Sequence, residues 1–209
     1  MNQDNSGGST EAQDYKVFLN QVLQQPKDSG QAVDMPSIFH HVRRIPYGGA
    51  GQRDPRKVYE LNLGTCSGKH ILLRDLLRAA GFNAQVVTVF TFFNKGIPVD
   101  ASMNPELQRI IQQTDVPDYH NFVQVQTTDI GWLTLDATWH DALKPLGFPV
   151  NDAWNGVGVM SLAGAALKIY PAAEDVVTLK KSLLDTLKPA ELQLRARFLE
   201  LLTEWMATK

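Results

Sequence analysis

Apolar residues recur at helical spacing through CSGKHILLRDLLRAAG, where Leu73, Leu77 and Ala80 share one stripe and Gly81 supplies a stop. Stepping back from Leu73 by three and then four residues reaches His70 and Cys66. The pattern therefore predicts a helix whose first turn carries Cys66 on its buried side, after a turn-like run, VYELNLGT. AQVVTVFTFF is β-branched and aromatic on both parities, as in a strand covered on both faces. HNFVQVQ and GWLTLDATW alternate in the manner of two strands, and TTDI between them reads as a hairpin turn. Shorter helices are predicted in YKVFLNQVLQ, stopped by Pro26 and the KDSG turn, in PSIFHHVRRI, and in NPELQRIIQQT. The final stretch, KPAELQLRARFLELLTEWMATK, reads as a strong helix with Pro189 in its first turn and an apolar face wide enough to dock on the domain. Residues 1–14 read as a disordered tail, and residues 15–209 as a single domain with extra helices at both ends.

Between these elements lie three stretches of another kind. IPYGGAGQRDP is loop. IPVDASMNPELQ is long enough to act as a lid over a cleft or to run as a plain surface excursion. NDAWNGVGVMSLAGAALKIYP reads as a packed loop or small hairpin. Its Gly156 and Gly158 lack the lysine and the strand–helix frame of a phosphate loop, and no cofactor is expected.

Face assignment along the hairpin brings polar residues together. His120, Phe122 and Gln124 share one side of the first strand, and Trp132, Thr134 and Asp136 share one side of the second. Symmetric folding about Thr128 would set His120 across from Asp136, with Cβ atoms roughly 5 Å apart. A slip of one residue would put them on opposite faces.

Composition narrows the function classes. The 209 residues are 44% hydrophobic and 20% charged, with a formal net charge of −2. The basic doublets Arg43-Arg44 and Lys180-Lys181 are too short to make a nucleic-acid patch, so no nucleic-acid partner is expected. The polar N-terminus lacks the order of a secretory signal and no apolar run approaches membrane-spanning length, so a cytoplasmic protein without a membrane partner is expected. One cysteine excludes an internal disulfide.

That cysteine raises the chemical question. A lone Cys on an apolar helix face is commonly a core residue. An imidazole held by a carboxylate would instead make it a nucleophile, helped by the unpaired N–H groups of a helix start. Gly64 would let backbone approach a substrate, and the Cys66 amide would serve as an oxyanion donor. Zinc held by Cys66, His70, His120 and His140 lacks any recognised ligand spacing, and no metal is expected. His70 is read as packed near the site, His140 as a surface residue, and His40 and His41 as reaching solvent. Trp132 and Trp139 flank Asp136 and are read as shielding it from water.

GTCSGKHILLRDLLRAAGFNAQVV, DYHNFVQV and WLTLDATW, in this order, resemble the transglutaminase-like superfamily of papain-fold cysteine enzymes, and RRIPYG resembles the segment that precedes the cysteine in many members. The resemblance runs from Ile45 to Trp139. It implies an α+β, papain/transglutaminase-like fold with the cysteine at the N-terminal end of a helix packed on an antiparallel sheet. It also implies Cys66 as nucleophile, His120 as general base and acid, Asp136 as orienting carboxylate, and acyl transfer or amide hydrolysis through a thioester. The substrate expected is an amide- or acyl-bearing peptide or small molecule. Family members often add an upstream side chain to the oxyanion hole, and Tyr47 is the residue considered for it. Two alternatives stand beside this reading: an arylamine-acetyltransferase-like enzyme, whose usual Arg-Gly-Gly run is replaced here by LNLGTC, and a non-catalytic binding module that retains the triad.

Overall fold

Polar caps mark where the helices begin. In the computed structural model, which describes residues 7–28, 33–49 and 51–209, Asp34 and Ser37 close a capping box on α2 (Met35–Arg43). Asp54 caps α3 (Pro55–Glu60), and Thr65 caps α4 (Cys66–Ala79). The first helix, α1 (Gly7–Asp28), begins inside the stretch read as tail and runs two residues past Pro26; residues 1–6 lie outside the described ones. A proline this near a helix end removes one hydrogen bond from the final turns and does not have to break the helix. The short α3 also occupies part of the turn-like run before Cys66, because Asp54 followed by Pro55 is a strong start signal.

A four-stranded antiparallel sheet forms the centre, in the order β3–β2–β1–β4. Its strands are β1 (Ala84–Phe92), β2 (Pro117–Thr127), β3 (Gly131–Leu135) and β4 (Lys168–Tyr170). Between β1 and β2 lies α5 (Pro105–Gln113). The chain closes with α6 (Val176–Leu184) and α7 (Pro189–Met206). The fold is α+β, with Cys66 as the first residue of α4. The stretch read as a packed loop or small hairpin is mostly loop, and its end forms β4, which pairs with β1 (Thr88 opposite Tyr170).

A small cluster of Val87, Val89 and Phe122 and two large apolar cores pack around this sheet. One joins α1, α2 and the body of α4 to the sheet through Phe39, Val42, Leu72, Leu76, Val123 and Leu135. The other gathers Phe93, Leu107, Trp139, Phe148, Phe198 and Trp205 between α5, α7 and the loops. Cys66 belongs to the second core, whereas Leu72, Leu73, Leu76 and Leu77 of the same helix belong to the first. The helix thus bridges both cores with its N-terminal turn at their boundary. No described helix is long and apolar enough to cross a membrane.

Candidate active site

Close backbone packing positions the sulfur. Gly64 donates its N–H to the Pro46 carbonyl, and its own carbonyl accepts from Gly48, both at 3.1 Å. A Cβ on Gly64 would stand 2.8 Å from Val58 and 3.0 Å from Lys69, and one on Gly68 would stand 2.7 Å from the Gln52 carbonyl. The protein's own packing therefore already requires glycine at position 64. Lys69, fully buried, donates its three N–H bonds to the carbonyls of Arg43, Ile45 and Thr138 at 3.1, 2.6 and 2.9 Å. It pins the first turn of α4 to the segments on either side. The amides of Cys66 and Ser67 open the helix with no hydrogen-bond partner among the described residues.

His120 and Asp136 meet, though not by the register expected. The hairpin is centred on Asp129, so β2 and β3 pair as Val123–Leu135 through Thr127–Gly131, and β3 ends before Asp136. This is a shift of two residues in pairing, which preserves parity and hence the shared face. Asp136 reaches His120 from the first residue past the strand, with Oδ2 2.8 Å from Nε2. The carboxylate is otherwise saturated: Thr138 donates its N–H and hydroxyl to Oδ1 at 3.0 and 2.6 Å, and the Ala163 N–H donates to Oδ2 at 2.8 Å. The His120 ring stacks on Phe93 and stands edge-on to His70. Burial works against the imidazolium, yet Asp136 outweighs it, with a smaller push from Cys66, and the ring is pushed up to about 10. Asp136 is held well below the carboxylate range by His120 despite its burial.

His70 braces this pair. Its Nε2 accepts from the Ala137 N–H at 2.9 Å, so the ring is neutral and protonated at Nδ1, which donates to the Cys66 carbonyl at 2.7 Å. Burial brings it down to about 3. One imidazole therefore ties the Cys66 backbone to the residue after Asp136. Both its nitrogens are committed, and among the described residues no three His, Cys, Asp or Glu are arranged to hold a metal.

The sulfur faces a cavity of about 410 Å³ lined by Tyr47, Cys66, Asp118, Lys180, Arg195 and the α7 residue Thr203, among others. The charged residues among these, Asp118, Lys180 and Arg195, are all absent from the candidate residues of the sequence. Lys180 Nζ donates toward Cys66 Sγ at 3.5 Å, and Arg195 Nε donates to Asp118 Oδ1 at 2.7 Å. Burial pushes the Cys66 thiol up, but Lys180 first and His120 second outweigh it and bring it to about 6. Asp118 shares the parity of His120 on β2 and is legible to that extent; nothing local marks Lys180 or Arg195.

Other expectations change. Trp132 is 43% exposed, because its place opposite Gln126 is on the open part of β3, and it shields nothing at Asp136. Trp139 does pack at the site, against Tyr47, Phe93 and Phe148. His140 is buried and accepts from the Tyr47 N–H at 3.3 Å. His40 and His41 are half-buried, one bonded to the Trp154 carbonyl at 2.7 Å and the other stacked on Tyr59. No residue of IPVDASMNPELQ lines the cavity; Ile97, Met103 and Leu107 enter the second core, and α7 forms the outer wall.

The family model of the transglutaminase-like superfamily matches residues 19–137, more than half of the chain. The chain belongs to the transglutaminase-like superfamily. Neither the curated proteins nor the solved structures give a match. The span shared with this superfamily contains Cys66, His120 and Asp136 and ends before Thr138. The loop that caps Asp136 through Ala163, together with α6 and α7, lies beyond the matched span.

Proposed function

We propose that this chain is a cysteine-nucleophile acyl-transfer enzyme acting on an amide or related acyl donor. The observation that carries the reading is the division of labour on the His120 ring. Nε2 is bonded to Asp136 at 2.8 Å, while the buried Nδ1 has no well-formed partner among the described residues and interacts with the Cys66 thiol. The carboxylate fixes the tautomer and stabilises the imidazolium, so the thiol's proton moves to Nδ1. The thiolate attacks the carbonyl carbon, a C–S bond forms, and the carbonyl π pair moves onto oxygen. The free N–H groups of Cys66 and Ser67 are the available donors to that oxyanion. As the intermediate collapses, the C–N bond breaks and the departing nitrogen takes the proton from His120. The thioester then passes its acyl group to water or to an amine.

The test is trapping. Incubation with a set of glutamine- and amide-bearing donors is expected to add the acyl mass to Cys66, read by intact mass spectrometry. Cys66→Ala removes the adduct, and His120→Ala slows its formation on the order of 10²–10⁴-fold. A folded protein that gives no adduct with any donor, and whose thiol alkylates no faster than a free cysteine, overturns the reading.

A further inference from the structure

Two buried lysines lie near the first turn of α4, and their surroundings differ. Lys69 has a carbonyl for each of its three protons. Lys180, whose side chain is 4% exposed, has no oxygen acceptor at hydrogen-bond distance among the described residues. Its Nζ lies 3.5 Å from Cys66 Sγ and 3.9 Å from Asp118 Oδ1. That Asp118 oxygen is already committed at 2.7 Å to Arg195 and at 2.7 Å to the Tyr119 N–H. A buried ammonium so sparsely bonded is costly unless an anion stands beside it. The remaining candidate for that anion is the sulfur.

We propose that Lys180 is a catalytic residue of this site: its ammonium is the counter-ion of the Cys66 thiolate, and it follows the negative charge from sulfur to the acyl oxygen during attack. The second half rests on the acyl-transfer reading above; the ion pair itself does not. Lys180 acts by charge and hydrogen bonding, leaving proton transfer to His120. Its remaining N–H groups have the cavity open to them, where an acyl oxygen bonded through carbon to Sγ would stand. Asp118–Arg195 forms a separate, neutral pair that keeps the lysine from being fully satisfied elsewhere.

Placement of this lysine is built into the nucleophile's own helix. Asp175 caps α6 through the Thr178 N–H, and the preceding Glu174 is gripped from α4. Arg74 donates to its carbonyl at 3.0 Å, and Arg78 holds its carboxylate in two bonds of 2.6 and 2.8 Å. Two arginines of α4 thereby fix the start of α6, and one and a half turns later α6 returns Lys180 to the first residue of α4. Lys180 lies outside the span shared with the superfamily.

Alkylation of Cys66 by uncharged iodoacetamide reads the pair directly, because the chain has one cysteine. The groups facing the sulfur and the ammonium are His120 and Asp118 from β2, Arg195 from α7, Tyr47 from the preceding loop, and Lys69 and His70 from α4. All are kept intact in the full-length variants. In the wild type the rate should rise with pH through a midpoint near 6. Lys180→Met should move the midpoint up by about one unit or more, a roughly tenfold loss of rate on the acid side. Lys180→Arg should restore most of that loss, which a purely structural role would not do. A folded Lys180→Met protein with the wild-type profile overturns the proposal. Should Lys180→Met not fold, Lys180→Gln, which keeps a polar end in the same space, takes its place, and a folded Lys180→Gln protein with the wild-type profile overturns the proposal equally. A shifted alkylation profile in a protein that never forms an acyl adduct would uphold the ion pair and sink the acyl-transfer reading alone.

Discussion

Cys66 stands between two polar clusters of opposite construction. On one side Asp136 has accepted bonds from two groups of its own neighbourhood and one from Ala163, and aims His120 at the sulfur. On the other side Asp118, Lys180 and Arg195 come from β2, α6 and α7; one short bond joins Arg195 to Asp118, and Lys180 stands near them by charge alone. The first cluster is a set of short, directional bonds, which fixes an orientation. The second is a set of partly shared charges, which sets a potential at the sulfur. Aim and potential are separable functions, so loss of each should be seen in a different measurement.

The largest separation is expected from the two carboxylates. Asp136→Asn would turn an amide N–H toward Nε2 and leave Nδ1 protonated, unable to take the thiol's proton, so acylation should fall by about 10⁴-fold. Asp118→Asn leaves the guanidinium of Arg195 without its carboxylate, close to the ammonium of Lys180. Its main effect should be on folding, a loss of about 3–5 kcal/mol in urea denaturation. If instead Asp118→Asn is as stable as the wild type and Asp136→Asn acylates normally, the two clusters have no distinct roles.

A second effect, smaller and in stability alone, tests whether the thiol and imidazole titrate as one unit. The His120 pKa is raised in the fold, to about 10, against about 6.5 when unfolded. Its contribution is fully present below the unfolded value and is lost as pH rises through the folded one. The Cys66 pKa is lowered to about 6, against about 8.5 unfolded. Its contribution is present above the unfolded value and is lost as pH falls through the folded one. Between about 6.5 and 8.5 the folded pair and the unfolded pair hold the same number of protons, so the two slopes cancel and stability should be flat. Cys66→Ala removes one slope, and stability should then fall as pH rises through this window. His120→Ala removes the other, and stability should rise with pH because Lys180 still favours the thiolate. Melting temperatures across the window check the signs; slopes of the same sign in both variants would break the paired description.

Much of the aiming cluster is legible from residue order. The helical stripe ending at Cys66 and the parity of His120 and Asp136 are local periodicities, and a register error of two residues leaves parity untouched. The alternation nonetheless carries the strand four residues too far, through Trp139, since Thr138 turns its backbone and hydroxyl onto the Asp136 carboxylate. Gly64 stands out in the sequence for a different reason than the one the fold gives it, because its packing partners Val58 and Lys69 become neighbours only after α3 folds onto α4. The tuning cluster is hidden almost entirely. Lys180 follows Cys66 by 114 residues, and its approach depends on two arginines of α4 gripping Glu174. No sequence period carries that contact.

Trp132 provides the smallest expected effect and the sharpest control on parity. It shares its alternation with Asp136, which is why the sequence suggests a shielding role, yet it lies on the exposed part of β3 beside exposed Gln126. Replacement by threonine exchanges one residue favoured on strands for another at an exposed position, so stability should change by less than about 0.5 kcal/mol. The alkylation midpoint of Cys66 should stay where it is, because no charge or hydrogen bond at the sulfur involves this ring. Shared alternation places two side chains on one face of a strand; it does not bring them to one place along it, and Asp136 is four residues farther on, past the strand's end. A Trp132→Thr protein with a shifted midpoint would mean that the hairpin is held closer to the register centred on Thr128, where Trp132 would lie nearer the imidazole.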